Sequence, residues 1–168
     1  KFPKKFNYKF INSKIKSLKM KDLSNKNLLS DKVATVASII AKDKKIRKIV
    51  HAFQLKCAYN PAKRYAGSCL DGRDIGSVVV KSATFKFYVT ANVKIRALRR
   101  YKELKSLKKK VTYSEVLKSI KKRDKSDKNR KISPLKKTKD SILINTSKLD
   151  RRLQFLKVKK IIDRKLNS

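Results

Sequence analysis

The chain has 168 residues, 49 Lys and Arg against 12 Asp and Glu, a formal net charge of +37 and 40% hydrophobic residues. That length suits one domain with a core, and the apolar share excludes a wholly disordered basic tail. No apolar run approaches the roughly 20 residues that cross a bilayer, which excludes a membrane-spanning helix. A charge of this size repels itself unless a polyanion neutralises it, so composition points first to nucleic acid, ahead of a membrane surface or an acidic protein. Lys far outnumbers Arg, which suits many-point phosphate neutralisation better than bidentate base reading. His51 is the only histidine, so no histidine-based triad or multi-His metal site can be built. Cys57 and Cys69 form no C-x-x-C pair and read as reduced, partly buried thiols.

Residues 1–30 read as a basic N-terminal extension with a short strand at Tyr8 to Ile11, and residues 31–168 as the folded domain. The stretch Lys1 to Lys21 contains no acidic residue, which fits either a processed organelle protein or a chain whose beginning is not included. Ser30 or Asp31 offers an N-cap to a helix carrying Val33, Val36, Ala37, Ile40 and Ala41. A second helical pattern runs through Ile46, Ile49, Val50, Phe53 and Leu55, before Pro61 and Gly67 punctuate a loop. Tyr65 to Leu70 reads as a buried strand leading into Asp71-Gly72, and Phe85 to Thr90 as the clearest strand. Helices follow at Val93 to Lys105 and Ser114 to Lys122, with Lys108 to Lys110 as a basic turn between them. A strand at Ser141 to Thr146 and a basic helix at Leu149 to Leu166 close the chain. Strands alternating with helices predict an α/β domain with a parallel sheet.

Five anchors carry a family likeness. They are Val33-Ala34-Thr35-Val36-Ala37-Ser38; Leu70-Asp71-Gly72-Arg73-Asp74-Ile75-Gly76-Ser77-Val78-Val79; Arg96-Ala97-Leu98-Arg99-Arg100-Tyr101-Lys102-Glu103-Leu104; Lys122 through Leu135; and Ile142-Leu143-Ile144-Asn145-Thr146-Ser147. In that order they resemble the later part of bacterial-type cytidylate kinase, of the nucleoside monophosphate kinase group, from Ser30 onward. The resemblance implies a P-loop-kinase-like, three-layer α/β fold. It also implies a cytidine monophosphate site in which Ser38 and Asp127 face the cytosine, Arg123 completes the base site, and Arg47, Arg73, Asp74 and Arg130 handle sugar and phosphate. Arg96, Arg99 and Arg100 match the lid helix that lies near the donor triphosphate. A guanidinium supplies bidentate phosphate contacts, and a carboxylate accepts from an exocyclic amine or a ribose hydroxyl. Ser126 departs from the Arg common in the family motif.

The phosphate loop G-x-x-x-x-G-K-[ST], whose backbone N–H groups surround the donor phosphates, has no counterpart here, because Gly67, Gly72 and Gly76 do not take that spacing. The family's first strand, which feeds that loop, is central in the sheet between the counterparts of Tyr65 to Leu70 and Phe85 to Thr90. The expected fold is therefore incomplete, the first strand being missing or replaced. Three repairs are open: the two strands close up, the N-terminal extension replaces the strand, or a separate chain supplies it.

Phosphoryl transfer depends on positioning and electrostatic stabilisation, so the sequence leads to a non-catalytic expectation. The reading is a degenerate cytidylate kinase serving as a structural component of a mitochondrial ribosome, with ribosomal RNA and neighbouring ribosomal proteins as partners and no cofactor or metal. Expected RNA contacts are Lys4, Lys5, Lys9, Lys105, Lys108, Lys109, Lys110, Lys136, Lys137, Arg151, Arg152, Lys159 and Lys160. The alternative is an active cytidylate kinase, transferring the terminal phosphate of ATP to CMP or dCMP with Mg2+, its P-loop coming from an omitted segment or a partner chain.

Overall fold

A computed structural model describes residues 6–19, 22, 24, 25, 28 and 30–167. They fall into two compact units, Lys1–Lys81 with Asn129–Leu135, and Ser82–Lys128 with Lys136–Ser168.

The first unit holds α1 (Tyr8–Lys16), α2 (Asp31–Ile40), α3 (Lys44–Tyr59) and a π-helical turn at Ile75–Val79. Each α-helix starts on a side-chain cap. Asn7 accepts from the Phe10 N–H at 2.9 Å, Ser30 from the Val33 N–H at 3.3 Å and Asp43 from the Ile46 N–H at 2.8 Å. The expected strand at Tyr8 to Ile11 is instead the first turn of α1. Tyr8, Ile11 and Ile15 recur at helical spacing, and α1 packs on α3. The expected strand at Tyr65 to Leu70 has no ladder either. Tyr65 is exposed, and the Ser68 hydroxyl bonds the Cys57 carbonyl at 2.7 Å at the end of α3. Without a neighbouring strand to satisfy its backbone, this apolar stretch has no reason to extend as a ladder. Ile46, Val79 and Val80 are the buried apolar residues among the described residues of this unit.

The second unit holds β1 (Phe87–Thr90), α4 (Val93–Ser106), β2 (Ile142–Asn145) and α6 (Arg151–Leu166), together with α5 (Tyr113–Asn129) up to Lys128. β1 and β2 pair in parallel, with Phe87 opposite Ile142 and Thr90 opposite Asn145, α4 and α5 making the crossover. This mixed architecture with a parallel sheet is a partial P-loop-kinase-like α/β fold, as the sequence predicts. Among the described residues the sheet has two strands, and neither the closing-up of Tyr65 to Leu70 nor a strand from Tyr8 to Ile11 repairs it.

Ala97, Leu104 and Val116 form the core between α4 and α5, with Tyr101 edge-on to Tyr113 at 6.3 Å. Thr112 and Glu115 form a capping box that starts α5: the Thr112 N–H donates to Glu115 at 2.8 Å and the Glu115 N–H to the Thr112 hydroxyl at 3.2 Å. These bonds hold the Glu115 carboxyl below its ordinary pKa. α5 runs seven residues past the expected end at Lys122, because the stretch to Asn129 holds no Gly or Pro and allows an Arg123–Asp127 pair at i,i+4. No helix among the described residues is long and apolar enough to cross a membrane.

Candidate functional site

In the first unit the loop after Leu70 turns on Gly72, where an added Cβ would stand 2.7 Å from the Ile75 Cγ1. The π-helical turn then begins at Asp74, whose carbonyl accepts from the N–H groups of both Val78 (2.8 Å) and Val79 (3.2 Å). Wide turns of this kind re-aim a side chain at functional sites. Here the turn buries Asp74, which is 8% exposed.

Two guanidiniums converge on that carboxylate. Arg47, from the first turn of α3, pairs its Nη2 with Oδ2, and Arg130 holds its Nη2 3.8 Å from Oδ1. Each arginine is also tied to the backbone. Arg47 Nη1 donates to the Ala41 carbonyl at 3.2 Å, and Arg130 Nε donates to the Ser133 carbonyl at 2.5 Å. Ser133 takes a left-handed φ of 49° to present that carbonyl. Arg73 precedes Asp74 directly in the chain and is exposed, so two cations of the expected set lie on this buried anion and the third is its sequence neighbour. Ser38 sits in the last turn of α2, its hydroxyl donating to the Thr35 carbonyl at 2.9 Å.

In the second unit Asp127 is 6% exposed on α5, and Arg123 one turn earlier reaches its Oδ2 at 3.9 Å. The arginines matched to the lid are committed to holding this unit together. Arg96 forms a two-pronged pair with Asp124 at 2.9 and 2.5 Å and donates from Nε to the Ala91 carbonyl, so its guanidinium pKa is raised, first by the Asp124 bonds. Arg99 donates to the carbonyls of Thr146 at 2.7 Å and Leu149 at 3.0 Å. Arg100 pairs with Glu103 at 2.9 Å.

Sequence reasoning missed four groups that shape these clusters: Tyr8, Asp43, the Ala41 carbonyl and Asp124. Asp43 was the findable one, since an Asp immediately before a helical apolar pattern is an N-cap signal. Among the described residues no group of three or more His, Cys, Asp or Glu side chains gathers to hold a metal ion.

Of the expected RNA contacts, Lys4 and Lys5 lie outside the described residues. Lys9, Lys105, Lys108, Lys109, Lys110, Lys136, Lys137, Arg151, Arg152, Lys159 and Lys160 are all exposed, but they are scattered over α1, two loops, the end of α4, and the start and middle of α6. Lys159 pairs with Asp163 at 2.6 Å. Tyr101 packs on the α4–α5 core.

A family model described as "Cytidylate kinase" matches residues 1–163. The chain belongs to the cytidylate kinase family. It is 56% identical over 78 residues to a cytidylate kinase of Clostridium botulinum (strain Loch Maree), covering 46% of this chain and 36% of that protein. Against a cytidylate kinase of Clostridium tetani it is 46% identical over 117 residues, 68% of this chain and 49% of the relative. Against one from Methylocella silvestris it is 38% identical over 138 residues, 82% and 62% of the two chains. The matched stretch thus spans less than two thirds of each of these relatives.

Membership in the cytidylate kinase family corrects the functional expectation. These relatives are kinases by name, and neither they nor the family model point to a ribosomal protein, a mitochondrial ribosome or a ribosomal RNA partner. The physical reason for the error is plain: a charge of +37 says that the surface attracts anions, without saying which, and Lys richness is shared by chains with no nucleic-acid role. The absence of G-x-x-x-x-G-K-[ST] from these residues does not decide the function, because the matched stretch is only part of each relative.

Proposed function

We propose that this chain carries the acceptor side of a cytidylate kinase, binding CMP or dCMP so that its phosphate can receive the terminal phosphate of ATP. The observation that carries the reading is the Arg47–Asp74–Arg130 cluster, in which two guanidiniums share one buried carboxylate. Such a cluster holds positive charge in a fixed place before any phosphate arrives, and a phosphate dianion gains charge-assisted, forked hydrogen bonds there. Arg73 extends the same loop. The family resemblance supplies the rest of the assignment, with Ser38, Arg123 and Asp127 reading the cytosine. On the donor side, ATP and Mg2+ are the family's co-substrate and metal. The described residues do not fit either one: no carboxylate cluster would hold the cation, and no glycine-rich loop would hold the triphosphate. No step of transfer is therefore assigned to this chain's residues.

Calorimetric titration of the folded chain with CMP and with cytidine tests the reading. CMP binds more tightly than cytidine, and Arg47→Ala weakens CMP by about 10-fold or more, the loss expected for a charge-assisted bond, while cytidine changes little. A folded chain that takes up no CMP overturns it.

A further inference from the structure

The corner between α2 and α3 is fastened from outside. Asp43 uses both carboxylate oxygens: Oδ1 caps the Ile46 N–H at 2.8 Å, and Oδ2 accepts from the Tyr8 hydroxyl of α1 at 3.0 Å. The ring of Tyr8 lies beneath the Lys45 ammonium, 5.1 Å from its centroid. Arg47 begins one turn later, its N–H donating to the Asp43 carbonyl at 3.0 Å and its side chain reaching back to the Ala41 carbonyl at 3.2 Å. The same guanidinium pairs with Asp74.

We infer that Tyr8 is a positioning residue for the phosphate-binding Arg47, acting through Asp43 by fixing the orientation of the first turn of α3. The inference rests on the reading of Arg47 as a CMP phosphate ligand. A helix whose cap is free to change rotamer can tilt about its first turn, and a tilt there moves a long side chain most at its tip. The Tyr8 hydroxyl removes that freedom by occupying the second carboxylate oxygen. The groups facing it are Asp43 and Lys45; the hydrogen bond to Asp43 raises the Tyr8 pKa, and the Asp43 carboxyl is lowered first by the Ile46 N–H it caps and then by Tyr8. Tyr8 touches no substrate under this arrangement, so its effect must pass through the arginine.

The test is a double-mutant cycle on the full chain, titrated with CMP and with cytidine. Tyr8→Phe and Asp43→Ser each weaken CMP by about 5-fold, one hydrogen bond's worth of orientation, and leave cytidine unchanged, because only the phosphate meets Arg47. Asp43→Ser keeps an oxygen for the cap and leaves no second polar atom for Tyr8, so the double variant is no weaker than either single one. Additive losses, equal losses for cytidine, or a Tyr8→Phe chain that binds CMP like the parent overturn the inference. If the parent itself binds no CMP, the kinase reading falls and the coupling is read by NMR on the Arg47 side-chain N–H resonances. A shift of those resonances in Tyr8→Phe upholds the link from Tyr8 to Arg47, and unchanged resonances remove it.

Discussion

Arginines in the two units are used in opposite ways. Around Asp74 two guanidiniums share one buried carboxylate, whereas on α4 Arg96 forms a two-pronged pair with the partly exposed Asp124 and Arg99 is spent on two carbonyls at the end of β2 and beyond. The first arrangement sets two guanidiniums on one buried anion; the second sits partly in solvent and works as scaffolding. The residue type is the same in both places, so the difference lies in burial and in what the fold sets against each guanidinium.

The contrast is broken hardest at Asp74. Asp74→Ala leaves two guanidiniums, 20% and 11% exposed, crowded in one place without their anion. Removing one member of a buried charged cluster costs roughly 3 kcal/mol, so chemical denaturation of the variant is expected to show a large drop in midpoint. A midpoint close to the parent's would mean that the cluster is not buried charge at all.

A smaller effect is expected at Asp124, whose pair with Arg96 is about one-third exposed on both sides. Solvent screens such a pair, and Asp124→Asn is expected to cost about 1 kcal/mol of stability. CMP affinity of the same variant should stay at the parent value. A clear loss of CMP binding would instead mean that the α4 arginines depend on Asp124 for a ligand-directed task.

The smallest effect is acid sensitivity at the sheet. Lys86 pairs with Asp140 at 2.5 Å, and that bond, followed by one from Thr138, holds the Asp140 carboxyl down to about 2. A carboxyl with a depressed folded pKa contributes stability above its unfolded value and loses it as pH falls through the folded one. Melting temperature should therefore decline between about pH 4 and pH 2 by less in Asp140→Asn than in the parent. Parallel curves for the two chains would show that the ion pair carries no stability.

Much of this was legible in the sequence because local signals agreed with the fold. Ser30 before an apolar 3.6-residue pattern marks α2, and aromatic and β-branched residues mark β1. The Asp74 loop and its arginines were reached through the order of motifs, which fixes ancestry without needing geometry. Local and tertiary preferences part company elsewhere. Tyr8 to Ile11 looks like a strand over four residues, but Asn7 caps it and α3 offers a surface to a helix. Tyr65 to Leu70 has strand composition and no strand beside it. The π-helical turn at Ile75–Val79 has no pattern of its own; it depends on Asp74 being held by arginines from distant parts of the chain. Charge misled most, since net charge is a sum over the surface and carries no address.

The parallel pair β1–β2 gives that charge a different meaning. Val89 is 61% exposed and Leu143 50%, and because they stand at adjacent register positions they lie on opposite faces of the pair, each an apolar side chain of the kind parallel sheets ordinarily cover. Two chains of +37 repel one another over a range that shrinks to about 8 Å at physiological ionic strength, so added salt is what lets such side chains on two copies approach.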